Sequence, residues 1–305
     1  MSDRELERAQ GSLLGAAVGD ALGGPVEFMS PEEIASRYGT VREMIGGGSY
    51  NWKRGEYTDD TSMMLCIAES LLAQKKYHPE DIARRFVAWY ESKPKDIGCT
   101  TREALSRLCH GVIRCDAGVK EKPTNGSVMR CAPLSIAFFQ NEDKLVEASQ
   151  QTSAITHRHI EAKLSCVFIN VMIAQLLLGV DKKTAFNDAV RKTKDIEPYF
   201  AKKYIGSSYR PDPRKGLAIN TLLLATSSFM SAGSFEEAVV KAVNLGGDAD
   251  TTGAVTGALS GAYFGVSAIP QRWSSKLNPR PARYFIEIGK SLFEMGRAMK
   301  IRPKN

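Results

Sequence analysis

The sequence predicts an all-α fold, one compact multi-helix domain spanning residues 1–305. Three observations predict it. Apolar residues recur at helical spacing along most of the 305 residues. No segment alternates polar and apolar residues beyond a few positions, so no long strand is expected. No charge block, Gly/Ser linker or repeat period divides the chain, so nothing marks a domain boundary.

The helices are predicted in order. Residues 4–21 place Leu6, Ala9, Leu13, Leu14, Ala17 and Val18 near helical spacing. Residues 61–74 do the same with Met63, Met64, Ile67, Ala68, Leu71 and Leu72. Residues 79–92 follow, with Pro79 suited to a first helical position. The series continues over residues 102–113, 132–139, 160–178, 182–194, 217–230, 235–244 and 252–264, and closes with 282–299. Glycines punctuate it at Gly19 to Gly24, Gly46 to Gly48, Gly126, and Gly246-Gly247. None fits a dinucleotide-binding or P-loop pattern.

Hydrophobic residues make up 43% and charged residues 25%, the balance of an ordinary globular chain. The six cysteines form no CxxC pair, so thiols in a reducing compartment are expected rather than a zinc site or disulfide framework. The start, MSDRELERAQ, is charged and unlike a secretory signal. The apolar run 165–180 is short for a membrane span and is expected to be a buried helix. These features predict a cytoplasmic protein without an integral membrane segment. The formal charge of +7 would suit an anionic ligand, and a pyrophosphate fits better than nucleic acid. No Lys/Arg run or recognition helix supports a nucleic-acid partner.

Two acidic segments carry the strongest chemical signal. Thr58-Asp59-Asp60-Thr61 opens a helical pattern. Capping explains one acid at a helix start, but capping does not need two adjacent carboxylates that repel each other. Gly246-Gly247-Asp248-Ala249-Asp250-Thr251 sets two aspartates on a glycine turn before a helix of small residues that permit close packing. If the segments meet, four buried carboxylates require cations, and all-oxygen ligands select Mg2+, Mn2+ or Ca2+ over zinc. Other candidates are weaker alone. Glu27 stands on a turn after the first helix, where a solvated loop acid is the plainer reading. Asp96 precedes a helix, where a cap is the plainer reading. Asn125 to Arg130 reads as an exposed loop whose backbone N–H groups suit phosphate. Of His157 and His159, a hydrogen-bonding role at a helix start is favoured over metal ligation. His78 and His110 are expected at the surface.

The ordered motifs GDALGGPVEF, GGG, TDDTSMML, DIGCTTR, NGSVMRCAPL, THRH and NLGGDADTTGAVTGAL resemble the ADP-ribosylglycohydrolases, over about residues 11–273. The sequence looks most like the subgroup that activates dinitrogenase reductase. The resemblance implies an all-α fold, two divalent cations (Mn2+ or Mg2+), and hydrolysis of ADP-ribose from a modified protein arginine. Carried over by motif, it implies metal ligands at Thr58, Asp59, Asp60, Asp248, Asp250 and Thr251. It places Asp96 beside the scissile ribose as base or orienter, and Glu27 on a mobile loop near the metals. It gives the diphosphate to Asn125, Gly126, Ser127, Val128 and Met129, with His157 near the pocket and Tyr209 flanking the ligand. It also implies a monomer whose partners are an ADP-ribosylated protein such as dinitrogenase reductase and nitrogen-signalling regulators, the latter drawing it peripherally to the membrane. Cys99 departs from the family pattern, which carries asparagine there, and residues 199–216 also differ in detail. The same motifs would serve another conjugate, ADP-ribosyl-serine or O-acetyl-ADP-ribose. A non-catalytic ADP-ribose-binding or structural relative would be marked by loss of the metal acids, and all four are present.

Overall fold

The structure, a computed structural model, describes residues 3–300. The first two and last five residues of the expected 1–305 span lie outside the described residues. The elements run α1 (Asp3–Gly23), α2 (Pro31–Tyr38), α3 (Asp59–Gln74), α4 (Pro79–Glu91), α5 (Cys99–Cys109), α6 (Arg114–Ala117), α7 (Ala132–Phe138) and α8 (Glu142–Ala154). They continue with α9 (Ile160–Leu177), α10 (Lys182–Ile196), α11 (Pro198–Tyr204), α12 (Ala218–Met230), α13 (Phe235–Val243), α14 (Ala249–Phe264), α15 (Gln271–Ser274) and α16 (Ala282–Lys300). Among the described residues there is no strand, only isolated bridges such as Gly47 with Trp52. The all-α expectation therefore holds. Five helices escaped the periodicity reading: α2, α6, α8, α11 and α15.

The axis of the molecule is an antiparallel pair, α1 against α14. On α1, Gly11, Gly15, Gly19 and Gly23 recur every four residues and so share one face. They meet Gly261, Gly257, Gly253 and Ala249 of α14 in that order. The contact is so close that a Cβ on Gly19 would stand 2.0 Å from the Gly253 carbonyl oxygen. Backbone packs on backbone here, which only glycine permits on both sides. Both helices bury nearly every residue along this seam. The C-terminal end of α1 is thereby fixed beside the N-terminal end of α14.

Around this pair lies a continuous apolar core that includes fully buried Phe86, Phe168, Phe229, Phe235, Trp273 and Phe285. Helix α9 is long and apolar enough to cross a membrane by length and composition, with mean hydropathy 1.6 over 18 residues. Yet 78% of it is buried within this fold, so it is a core helix, as expected for the apolar run.

Candidate active site

The two aspartate segments meet. The Thr251 hydroxyl donates to Asp60 Oδ1 at 3.3 Å, across 191 residues of sequence. This contact follows from the α1–α14 seam. α14 begins where α1 ends, and α3 is tied to the end of α1 by a carboxylate that sequence reasoning passed over, Asp20. Asp20 is fully buried. It accepts from the Thr58 N–H at 3.0 Å, the Thr61 N–H at 3.0 Å and the Thr61 hydroxyl at 2.5 Å. Thr58 in turn accepts from the Asp60 N–H at 3.2 Å. The free amides at the start of α3 are thus satisfied by Asp20 and Thr58 rather than by Asp59 or Asp60. Asp248 occupies the N-cap position of α14 but makes no side-chain cap bond. Its Oδ2 instead accepts from the Asn125 amide at 2.6 Å. Asp250 Oδ1 does take a first-turn amide, that of Thr251 at 2.8 Å, but capping does not account for Asp59, Asp60 and Asp248.

They open onto a cavity of about 310 Å³, a size that suits a small-molecule ligand. Glu27, Asp59, Asp60, Asp96, Asp248 and Asp250 all line it, with Thr251, and among the described residues no lysine or arginine does. The net positive charge of the chain is therefore not the feature that would hold a pyrophosphate. Oxygens of Glu27, Asp248 and Asp250 lie within 4.8 Å of one another. Glu27 is 8% exposed, not the solvated loop acid that its turn suggested. Thr58 stays behind the cavity wall, its hydroxyl engaged by Asp60.

Crowding and burial raise the carboxyl pKa values together. Burial pushes Glu27 up to about 10, helped by the charges of Asp96, Asp248, Asp59 and Asp20. Burial also lifts Asp59, Asp60 and Asp250 well above the usual carboxylate range, with neighbouring acids adding to the effect. Asp96 is raised by burial against hydrogen bonds from Tyr50 and the Ile97 N–H. Asp20 rises only to about 6, because its burial is offset by the bonds from Thr61 and Thr58. Among the described residues, Glu27 Oε2 and Asp60 Oδ2 are buried without any hydrogen-bond partner. Buried oxygens left unsatisfied beside other carboxylates are the ligand set of a hard divalent cation, and the acidic cluster fits one.

A further part of the lining comes from the 125–129 loop, which is buried apart from half-buried Gly126 rather than exposed. Asn125 anchors it, donating to Thr221 Oγ1 at 2.8 Å as well as to Asp248. The Val128 and Met129 N–H groups both return to the Asn125 carbonyl, so they are not free for an anion. Among the described residues the Gly126 and Ser127 N–H groups make no hydrogen bond, which narrows the anion-binding expectation to these two. The Ser127 side chain turns inward, accepting from Ser153 and Cys166. The Val128 side chain is core.

His157 is 1% exposed and lies against Gly126. Its Nδ1 is 2.7 Å from Thr156 Oγ1, and that oxygen already accepts from the guanidinium of Arg130 at 2.6 Å. Nε2 is the ring nitrogen that faces Gly126. Burial, then the charge of Arg130, hold the imidazole neutral by lowering its pKa well below the usual value. Arg130 is itself fully buried, stacked 4.3 Å over Phe86. His159 caps α9 by accepting from the Glu161 N–H, the helix-start role expected of this pair. His110 is exposed and His78 is half-buried at the start of α4. Tyr209 is not brought to the cavity. Its hydroxyl donates to Asn220 at 2.6 Å and its ring packs on Tyr204.

Asp20, Arg130 and Tyr50 were missed. Asp20 and Arg130 did carry a signal, a lone charge inside an apolar small-residue run, Gly19-Asp20-Ala21 and Met129-Arg130-Cys131. Such a charge must find a buried partner or a role. Tyr50 lies in an irregular segment and carried none.

Comparison with known proteins agrees with this fold. A solved structure titled ADP-ribosylglycohydrolase-related protein complex superposes with a TM-score of 0.85 at 35% identity, covering 97% of this chain and all of that one. An ADP-ribosyl-[dinitrogen reductase] glycohydrolase from Rhodospirillum rubrum is 35% identical over 277 residues, 91% of this chain and 92% of its own length. The ADP-ribosylarginine hydrolase Tri1 from Serratia proteamaculans is 33% identical over 285 residues, 89% of this chain and 75% of its own. The family model for ADP-ribosylglycohydrolases matches residues 1–300. The acid-lined cavity at the α1–α14 seam thus belongs to a hydrolase, and the chain is a member of the ADP-ribosylglycohydrolase family.

Proposed function

We propose that the protein hydrolyses the N-glycosidic bond between ADP-ribose and a protein arginine. The observation that carries this is the Thr251–Asp60 contact, which joins four aspartates and Glu27 around one cavity with Asp96 on its rim. The printed names of the Rhodospirillum and Serratia relatives supply the linkage, and the first points to dinitrogenase reductase as a candidate protein substrate. In this reading Asp59, Asp60, Asp248, Asp250 and Thr251, with Thr58 beside them, hold two divalent cations, Mn2+ or Mg2+. Bound there, such ions would neutralise the acids and supply Lewis-acid chemistry toward sugar hydroxyls and a water.

The chain's own groups would do the rest. The Gly126 and Ser127 amides and the Nε2 of His157 bind the diphosphate side of the ligand. Burial, and next the charge of Asp96, push the Glu27 carboxyl up to about 10, so the two acids are suited to different roles. Glu27 keeps its proton and Asp96 ionises. Water then attacks C1″ as the C–N bond breaks, Asp96 takes the water's proton, and Glu27 gives its proton to the departing guanidine nitrogen.

The test is release of ADP-ribose from arginine- and serine-modified substrates, with Mn2+ or Mg2+ and with chelator. Metal-dependent release from arginine only is expected. Undiminished release under chelation, or in a metal-free Asp250→Ala variant, would sink this reading. A second reading, cleavage of another ADP-ribose linkage, is favoured by one feature: Cys99, an exposed thiol on the cavity wall, at the position where the resemblance implies asparagine. Release from serine and not arginine would select it.

A further inference from the structure

One edge of the cavity carries aromatic side chains that the proposed chemistry leaves unused. Phe28 lines the cavity mouth and is 63% exposed, although it adopts φ +69, a conformation that costs a non-glycine residue strain. Its backbone is pinned there: its N–H donates to the Gly247 carbonyl, and the Gly247 N–H donates to Met29, each at 2.7 Å. An apolar ring is thus held in water at a strained position, directly before the Asp248 turn. Tyr50 stands beside it with ring centroids 6.4 Å apart, and Trp52 stands behind Tyr50 at 5.7 Å. Lys95 already covers Trp52, 5.1 Å from its centroid, so this ladder stacks with a cation at its inner end and is bare at Phe28.

The lip's position decides what it meets. Phe28 follows Glu27 in sequence, and Tyr50 lines the cavity together with Asp96. The rings therefore bracket the two carboxyls that would move protons at the bond to the departing side chain. Gly126 and the His157 ring come from a separate segment of the lining. We infer that Phe28 and Tyr50 receive the guanidinium of the modified arginine and so select an arginine linkage, an inference that rests on the hydrolase reading above. A planar cation can stack on the exposed face of Phe28 while the acids beneath draw it in. A serine linkage offers the ring neither charge nor plane.

Phe28→Ala tests this without endangering the fold, since the ring is exposed. With Mn2+ present, KM for an ADP-ribosyl-arginine conjugate should rise about fivefold with kcat nearly unchanged. The calorimetric affinity for free ADP-ribose should not move, and Phe28→Trp should keep the wild-type KM. An equal loss of affinity for free ADP-ribose would put the ring on the nucleotide and overturn the inference. An unchanged KM would remove the ring from recognition altogether. Failure of the underlying reading looks different: wild-type protein would then leave arginine conjugates intact before any variant is made.

Discussion

Asp59 and Asp60 owe their placement to a residue that does not line the cavity. Asp20 takes the N–H groups at the N-cap and third positions of α3, the work a capping-box glutamate does within its own helix, but from a different helix. Asp20→Asn leaves only one acceptor oxygen and turns an amide toward backbone donors. It should lower stability by about 2 kcal/mol in urea denaturation, the scale of buried charge-assisted hydrogen bonds. It should also weaken Mn2+ binding measured by EPR, and unchanged Mn2+ affinity would make its role purely structural. Asp60 predicts the opposite pattern. Its buried Oδ2 finds no partner and its neighbours repel it. Asp60→Asn should remove most activity yet raise the melting temperature of metal-free protein, since one buried like charge is gone. A lower metal-free melting temperature would contradict the crowding argument. At this scale the sequence was informative where residue types were unusual, as in Thr58-Asp59-Asp60 and Asp248-Ala249-Asp250. It was silent on Tyr50, which lies in an irregular segment and meets Asp96 at the cavity only after the chain has passed through α3 and α4. It misplaced Tyr209, whose hydroxyl is spent on Asn220.

At the scale of elements, periodicity found the helices with an apolar stripe and missed those without one. α8 reads EDKLVEASQQTSA and buries Ser149, Thr152 and Ser153 among its few apolar residues, so its inward face looks polar in sequence. The starts of α5 and α14 were placed three residues late because Cys99 and Ala249 to Thr251 continue the helix into the loop motifs. The small residues of α14 were readable as a surface for close packing, but their partner on α1 was not, because spacing within one helix does not name its neighbour. That seam makes a prediction of its own. Gly19→Ala sets a methyl 2.0 Å from the Gly253 carbonyl oxygen, and two helix backbones must part to admit it. The cost should reach about 3 kcal/mol, the upper end of overpacking, and activity should fall as α14 carries Asp248 and Asp250 away from α3. Gly233→Ala is the control, since its nearest neighbour is the far end of the Glu237 side chain at 3.5 Å. Equal, small losses in both variants would show that the seam tolerates separation.

For the whole molecule, a chain of net charge +7 encloses a cavity lined by six acids and, among the described residues, no lysine or arginine, and the two facts together set its response to pH. Folding raises Glu27 from an ordinary 4.5 to about 10, and lifts Asp59, Asp60, Asp96 and Asp250 as well. A carboxyl whose pKa is raised by folding binds more protons in the folded than in the unfolded chain. Stability must then fall as pH rises through the window from about 4.5 to about 10, where the unfolded group has ionised and the folded one resists. This is the reverse of a salt-bridged carboxylate, whose stabilisation is lost on acidification. Metal-free protein should accordingly melt at progressively lower temperature between pH 5 and pH 9. A divalent cation competes with those protons for the same oxygens, so its binding should strengthen over the same interval. Added Mn2+ should therefore raise the melting temperature more at pH 8 than at pH 5, as read by calorimetry at fixed free metal. Asp20, held near 6 by the α3 amides, contributes only at the lower end of the window. Equal Mn2+ stabilisation at both pH values would mean that the acids are already ionised without metal, and the charge-crowding account of the cavity would fail.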